Sequence, residues 1–247
     1  MMHRFYADPE RSDEEICRLS ADDAKHALTV LRLKTGTHIE MIHSQTLWEA
    51  EITGITGHDV CARLLKSLPS TEPSFPITLF QGLPKSDKMD WIVQKATEIG
   101  VSRIVPLNMA RCVVRYDHGK DARKLERWER IIRESCKQCA RSLVPEITAP
   151  CDISALRNLS GFPAAGIVAW EEAEIGYGPR SYCEEHPRPA SLGILIGPEG
   201  GIEKSEIEYI KELGFTPVTL GKRILRTETA GLAAVSAILG LYGELDE

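Results

Sequence analysis

What the chain lacks narrows what it can be. No stretch approaches the ~20 consecutive apolar residues that a membrane-crossing helix needs, so neither a transmembrane span nor a membrane partner is expected. The opening residues, Met1-Met2-His3-Arg4-Phe5-Tyr6-Ala7-Asp8, contain no apolar signal core. The seven cysteines are scattered and odd in number, which argues against a disulfide framework and suits reduced thiols in a cytoplasm. Cys136-x-x-Cys139 is the one close pair. With no second pair and no nearby histidines it reads as packing in a helix rather than zinc or redox chemistry, so no metal is expected. Internal repeats and low-complexity tracts are absent. Also missing is the phosphate-cradling G-x-G-x-x-G, and the site where it would fall carries most of the functional information.

What is present is an ordinary globular composition, 43% hydrophobic and 27% charged over 247 residues, enough for one large or two small domains with a sizeable core. The formal charge is −6, but it is unevenly spread. Between Arg103 and Arg141 eleven Lys/Arg face five Asp/Glu, a local +6; between Glu171 and Glu212 ten Glu face four Lys/Arg, a local −6. A dipolar molecule with one basic face can bind phosphates while remaining acidic overall.

Two kinds of pattern divide the chain. Residues 21–32 are helix-like, with Ala24, Ala27, Leu28 and Leu31 on one face. Short strand candidates follow at 37–42, 47–55 and 59–65, separated by Ser44-Gln45 and Gly57-His58 turns, and suggest a small barrel. Residues 67–76, with three prolines, read as a linker. From residue 77 strands and helices alternate: strands at 77–83, 103–107 and 165–170, a helix at 89–99 ended by Gly100, and a long helix at 120–140 with Trp128 and Ile132 inward and basic residues outward. Such alternation implies a mostly parallel sheet covered by helices. The last helix, 229–242, is apolar almost all round and therefore buried on more than one side.

The stretch from Leu192 to Ala230 organises the rest. Ile194-Leu195-Ile196 reads as a buried strand stopped by Gly197-Pro198, residues 202–213 as a helix capped at Gly214, and residues 218–220 as a neighbouring strand. Two glycine-bearing turns therefore follow two strands, where open α/β sheets usually hold ligands. Gly197-Pro198-Glu199-Gly200-Gly201 does not suit a pyrophosphate. Proline has no N–H to offer, and Glu199, Glu203 and Glu206 put negative charge where the phosphate would lie. A phosphate-free cofactor fits better. S-adenosylmethionine is one, its adenosine needing backbone polar groups and an apolar slot.

Pro198-Glu199-Gly200-Gly201, Leu220-Gly221 and Leu225-Arg226-Thr227-Glu228-Thr229-Ala230, in this order, resemble the signature of SPOUT methyltransferases of the RsmE type, which methylate N3 of a uridine in 16S ribosomal RNA. Lys85-x-x-Lys88-Met89-Asp90-Trp91 and Gln138-x-x-Arg141-x-x-x-Pro145-Glu146-Ile147 resemble two further motifs of that family. The resemblance implies a C-terminal trefoil knot, a homodimer and an N-terminal PUA-like domain, with boundaries at 1–72 and 73–247. It implies S-adenosylmethionine held by Ala169, Ile196, Gly197, Pro198, Glu199, Gly200, Gly201, Leu220, Gly221, Ile224, Leu225, Arg226, Thr229 and Ala230. RNA contacts are expected from Arg4, Arg32, Lys85, Lys88, Arg111 and Arg141, and catalytic roles for Arg226, Arg141 and Arg4. Glu199 is a general-base candidate by position only. The competing readings are an RNA-binding ribosome-assembly factor without catalysis, a SPOUT enzyme acting on another nucleotide, and, disfavoured by Pro198 and Glu199, a dinucleotide-dependent oxidoreductase.

Overall fold

The computed structural model describes residues 2–13, 15–115 and 122–246. Its described residues fall into two compact units: Met1–Glu72 with Cys136–Val144, and Pro73–Ser135 with Pro145–Glu247.

The first unit is a five-stranded sheet in the order β1-β3-β4-β5-β2, made of β1 (Arg4–Tyr6), β2 (Ile16–Arg18), β3 (His38–His43), β4 (Thr46–Thr56) and β5 (Asp59–Ser67). Only β1 and β3 run parallel. The two edges meet at an Ala7–Leu19 bridge, where Asp8 N–H donates to the Arg18 carbonyl at 2.7 Å and Ser20 N–H to the Tyr6 carbonyl at 2.9 Å. These bonds close the sheet into the expected barrel. Its core is Phe5, Cys17, Ile39, Met41, Ile52 and their neighbours. The three-residue strands β1 and β2 are too short to show an alternation in the sequence. Helix α1 (Ala21–Thr29) is capped by Ser20 and stops before the expected residue 32, since Arg32 is left-handed at φ +52°. Within the expected linker, Glu72 is pinned: it accepts from the backbone N–H groups of Ser142 and Leu143 at 3.0 and 2.9 Å.

The second unit is a parallel α/β sheet. Strands β6 (Ile77–Gly82), β7 (Arg103–Asn108), β8 (Glu146–Ile147), β9 (Cys151–Asp152), β10 (Ala165–Ala169), β11 (Leu192–Ile196) and β12 (Phe215–Val218) take the order β12-β10-β11-β6-β7-β8, with β9 also on β7. Every recorded pairing is parallel. The helices are α2 (Lys88–Glu98), α3 (Ala122–Cys139), α4 (Pro179–Glu185), α5 (Lys204–Glu212) and α6 (Thr227–Leu241). Central β6 and β11 are buried along their whole length, as strands covered on both faces must be. Lys120 and Asp121, where the long helix was expected to begin, lie outside the described residues, as does Asp117 of the basic stretch. The strand expected at 218–220 lies earlier, at β12, and pairs with β10 rather than β11. Pro217 occupies this edge strand, where its missing N–H costs no ladder bond. Helix α4 shows too little periodicity in seven residues to be foreseen.

The α5 cap follows from its acidic start. Glu203 and Glu206 form a capping box, and Glu206 also accepts from the Ala110 N–H at 2.8 Å. Two of the carboxylates that spoil a phosphate site thus serve the helix itself. The core is keyed by Phe215, whose ring packs near Phe80 and Phe162. It lies over Gly193, where an added Cβ would approach the ring to 2.5 Å and Pro163 to 2.8 Å. Burying such a ring contributes about 1.5–3 kcal/mol. Gly193→Ala is therefore expected to destabilise the protein by about 1–3 kcal/mol through overpacking, measured as a lower urea midpoint. Trimming the ring with Phe215→Leu in the same chain should recover part of the loss; an unchanged midpoint for Gly193→Ala would exclude this tight contact.

Candidate functional site

A cavity of about 1020 Å³ opens at the C-terminal ends of β10 and β12. Apolar wall is supplied by Ala169, Leu220, Leu225, Ala230, Ala233 and Ala237, the last three from one face of α6. Of the expected cofactor residues, Ala169, Leu220, Gly221, Ile224, Leu225 and Ala230 line it. Ile196, Gly197, Pro198, Glu199, Gly200, Gly201, Arg226 and Thr229 are not among its lining residues. Trp170, Glu171, Ala173, Gly178, Arg180, Ser181, Thr219, Lys222 and Arg223 line it without having been singled out as cofactor residues. Their only signal was position: they flank strands and glycine turns but carry no motif of their own.

The glycine turn after β11 is tied to the cavity through the start of α6. Pro198 accepts from Gly201 N–H at 3.0 Å, closing a tight turn after β11. Buried Gln81, at the end of β6, donates through Nε2 to Thr227 Oγ1 at 2.8 Å and to the Gly82 carbonyl at 3.0 Å. Thr227 Oγ1 donates onward to the Gly197 carbonyl at 2.7 Å. This relay joins the ends of β6 and β11 to the first residue of α6. Gly82 completes the fit, because a Cβ there would meet Pro198 N at 2.6 Å. Gln81 Oε1 is buried without a hydrogen-bond partner among the described residues.

Lys88 does not reach outward. Its Nζ lies 3.0 Å from Glu199 Oε1 and 3.2 Å from Glu228 Oε2. The second contact is an ion pair without hydrogen-bond alignment, since Glu228 Oε2 has no hydrogen-bond partner among the described residues. Lys85 N–H also donates to Glu199, at 3.2 Å. Burial works against ionised Glu199, but Lys88 and the backbone N–H groups outweigh it and hold the carboxyl below its usual range. The two carboxylates, Glu199 first, raise the Lys88 ammonium in turn. A lysine expected to touch RNA instead bridges the turn after β11 and the first turn of α6.

Arg141 is likewise engaged within the protein. Its side chain is buried (3% exposed) and gives Nε and Nη2 to Glu72 Oε2 at 2.9 and 2.5 Å. A guanidinium fork spent on a buried carboxylate is not available to phosphate. Arg4 is neither solvated nor free: it holds Glu40 Oε2 through Nε and Nη2 at 2.8 and 2.6 Å and reaches the Arg141 carbonyl at 3.4 Å. Both arginines secure the first unit. Arg111 is exposed but donates to the Gly200 carbonyl at 3.1 Å and lies 4.0 Å from Glu203. The side chains of Arg32, Lys85 and Arg226 are exposed, with no hydrogen-bond or ion-pair partner among the described residues. Arg226 sits at the N-cap of α6. Lys95 pairs with Glu98, three residues on in α2, at 2.8 Å. Burial pushes the Cys136 thiol up to about 12, which suits packing and not redox or thiolate ligation. Among the described residues no group of three or more His, Cys, Asp or Glu could hold a metal ion, and no helix is long and apolar enough to cross a membrane.

A parallel α/β unit with an apolar cavity at its strand ends, on one chain with a small β-barrel, defines a class that known families identify. Residues 71–239 match the model of an RNA methyltransferase domain, and residues 19–65 that of an RNA methyltransferase PUA domain. The ribosomal RNA small subunit methyltransferase E of Bacillus subtilis is 34% identical over 89% of this chain and 88% of its own length. That of Buchnera aphidicola subsp. Schizaphis graminum is 32% identical over 94% and 93%. The crystal structure of the corresponding enzyme of Neisseria gonorrhoeae, bound to S-adenosyl methionine, is 32% identical with a TM-score of 0.82, covering 99% of this chain and 100% of that one. The chain belongs to the ribosomal RNA small subunit methyltransferase E family of RNA methyltransferases.

Two outcomes follow from the relay and the clamp. Thr227→Val keeps the shape of the side chain but removes both relay bonds, and should cost about 1–3 kcal/mol, measured by urea unfolding. Lys88→Met tests the clamp by pH. The Glu199 carboxyl lies lower when folded than when unfolded, so its contribution is whole above the ordinary carboxylate range and is lost as pH falls through the lowered value. The gap in stability between parent and Lys88→Met should be widest near about pH 7 and close toward about pH 3. A gap that stays constant across that range would exclude the ion pair as its source.

Proposed function

We propose that this chain methylates N3 of a uridine in the 16S ribosomal RNA of the small subunit, using S-adenosylmethionine. The observation that carries this reading is the joining of six expected cofactor residues in one apolar cavity, with unpaired Arg226 next in sequence. The cavity volume lies at the upper end of the range for small-molecule sites. Its walls offer apolar surface and turn backbone rather than the anion-binding N–H cradle a pyrophosphate needs, so the residues fit a phosphate-free cofactor.

S-adenosylmethionine, when bound, supplies an electrophilic methyl group on a sulfonium. The chain's part is to hold uracil N3 in line with that methyl and to stabilise the imide anion formed when N3 loses its proton. Arg226, exposed and without a carboxylate partner, is suited to the second task. Glu199 is a weak proton acceptor, since Lys88 holds it ionised and below its usual range. The Gln81–Thr227–Gly197 relay orders the turn and the helix start that border the cavity.

The proposal includes a PUA-like RNA-binding module over 1–72 and a methyltransferase domain over 73–247, a C-terminal trefoil knot, and a cytoplasmic homodimer acting on the 30S particle. Ile175 and Ile224, 100% and 90% exposed, offer a second copy apolar surface. The basic stretch from Arg103 to Arg141 supports RNA contact less than its charge suggested. Arg103, Arg111, Arg127, Lys137 and Arg141 are all engaged within the protein, whereas Arg115, Arg123 and Arg130 are exposed without a partner among the described residues.

Isothermal calorimetry with S-adenosylmethionine and transfer of labelled methyl to 30S particles test the reading; failure of both would sink it. Arg226→Ala should lower turnover by about 10²-fold or more while RNA affinity is largely kept. Retained turnover would remove Arg226 from the chemistry, and RNA binding with no turnover in the parent would favour the assembly-factor reading.

A further inference from the structure

We infer that Arg180, Lys222 and Arg223 form a phosphate-gripping lip at the cavity mouth, holding the RNA strand on either side of the reacting base. This rests on the function proposed above and names the substrate's point of contact.

The lip combines two segments. Arg180 comes from the start of α4, and Lys222 and Arg223 from the loop between β12 and α6; all three line the same cavity. They are exposed and have no hydrogen-bond or ion-pair partner among the described residues. They share this with Arg226, and it sets them apart from Lys88 and Arg111. Lys88 is held by Glu199 and Glu228, and Arg111 by the Gly200 carbonyl. In a chain of net charge −6, residues 219–226 contain Lys222, Arg223 and Arg226 and one acid-free run. Glu171 also lines the cavity and is exposed, so three cations face one carboxylate there.

The arrangement fits a polyanion. The cavity wall is largely apolar and suits rings, while its charged lining is mostly basic, three cations to one carboxylate. A base brought to a ligand in the cavity carries its own 5′ and 3′ phosphates, and these are left outside. Two arginine forks and a lysine point charge, from two different segments, suit two phosphates of one strand. The same oxyanion chemistry is offered by the carboxylate of an amino-acid ligand, and the experiment separates the two.

The test measures RNA affinity against salt for the parent, Arg180→Gln and Lys222→Gln/Arg223→Gln, with S-adenosylmethionine affinity measured in parallel by calorimetry. Each phosphate contact contributes roughly 0.7 to 0.9 to the log–log salt slope. With one phosphate held by each segment, the double variant should therefore be shallower than the parent by about 0.7 to 0.9 and Arg180→Gln by a similar amount. KM for 30S particles should rise, and the cofactor Kd should stay within about two-fold. Urea midpoints, and Lys222→Glu/Arg223→Glu as a stronger second variant, guard against loss of folding. Unchanged slopes in folded variants would overturn the inference. So would weakened S-adenosylmethionine binding at an unchanged slope, which would assign these cations to the cofactor's carboxylate. A parent that neither binds nor methylates RNA would instead overturn the proposed function itself.

Discussion

The site depends on one buried polar connection. β6 and β11 are apolar and covered on both faces, so the sheet offers little with which to fix a neighbouring helix in register. Gln81 and Thr227 supply that fixing. One amide proton and one hydroxyl proton run from the end of β6, through the first residue of α6, to the carbonyl that opens the turn after β11. In a low-dielectric interior such bonds are costly to leave unmade, so they restrict α6 to one position where apolar packing alone would allow several. The alanine face that α6 gives to the cavity follows from that position.

Charge is sorted as strictly as polarity. Most cations near strand ends are consumed: Arg4 by Glu40, Arg141 by Glu72, Lys88 by two carboxylates, Arg127 by Asp90. These pairs join neighbouring elements, as Arg4 of β1 to Glu40 of β3 and Arg127 of α3 to Asp90 of α2. Among the cations left over, Lys222, Arg223 and Arg226 lie on the segment between β12 and α6 and Arg180 at the start of α4. An acidic protein that leaves a few cations unneutralised makes those few the strongest attractors for an anion, because no internal carboxylate competes for them.

The alternation of strand and helix beyond residue 77 was legible because buried strands read as short β-branched runs and amphipathic helices repeat at 3.6 residues. The barrel strands were legible from their turns, and the capped ends of α2 and α5 from Gly100 and Gly214, both left-handed at φ +104° and +89°. Short elements were not: β1, β2, β8 and β9 span two or three residues each, less than one period of any pattern. Arg4, Lys88 and Arg141 show the other limit. A basic residue in a motif looks the same whether it meets a phosphate or a carboxylate of its own chain. Its partner is set by contacts between residues far apart in the chain, 111 positions apart for Lys88 and Glu199. The lining residues Arg180, Lys222 and Arg223 escaped notice for the converse reason: their importance comes from having no partner, which only the fold reveals.

Pro217 has a consequence for assembly. It lies on β12, the outermost strand on its side of the parallel sheet, and cannot donate to an incoming chain. Two copies are thus discouraged from fusing their sheets into one continuous ribbon along this border. Association has to rely on side-chain surfaces instead, which keeps the border from serving as a template for open-ended fibres.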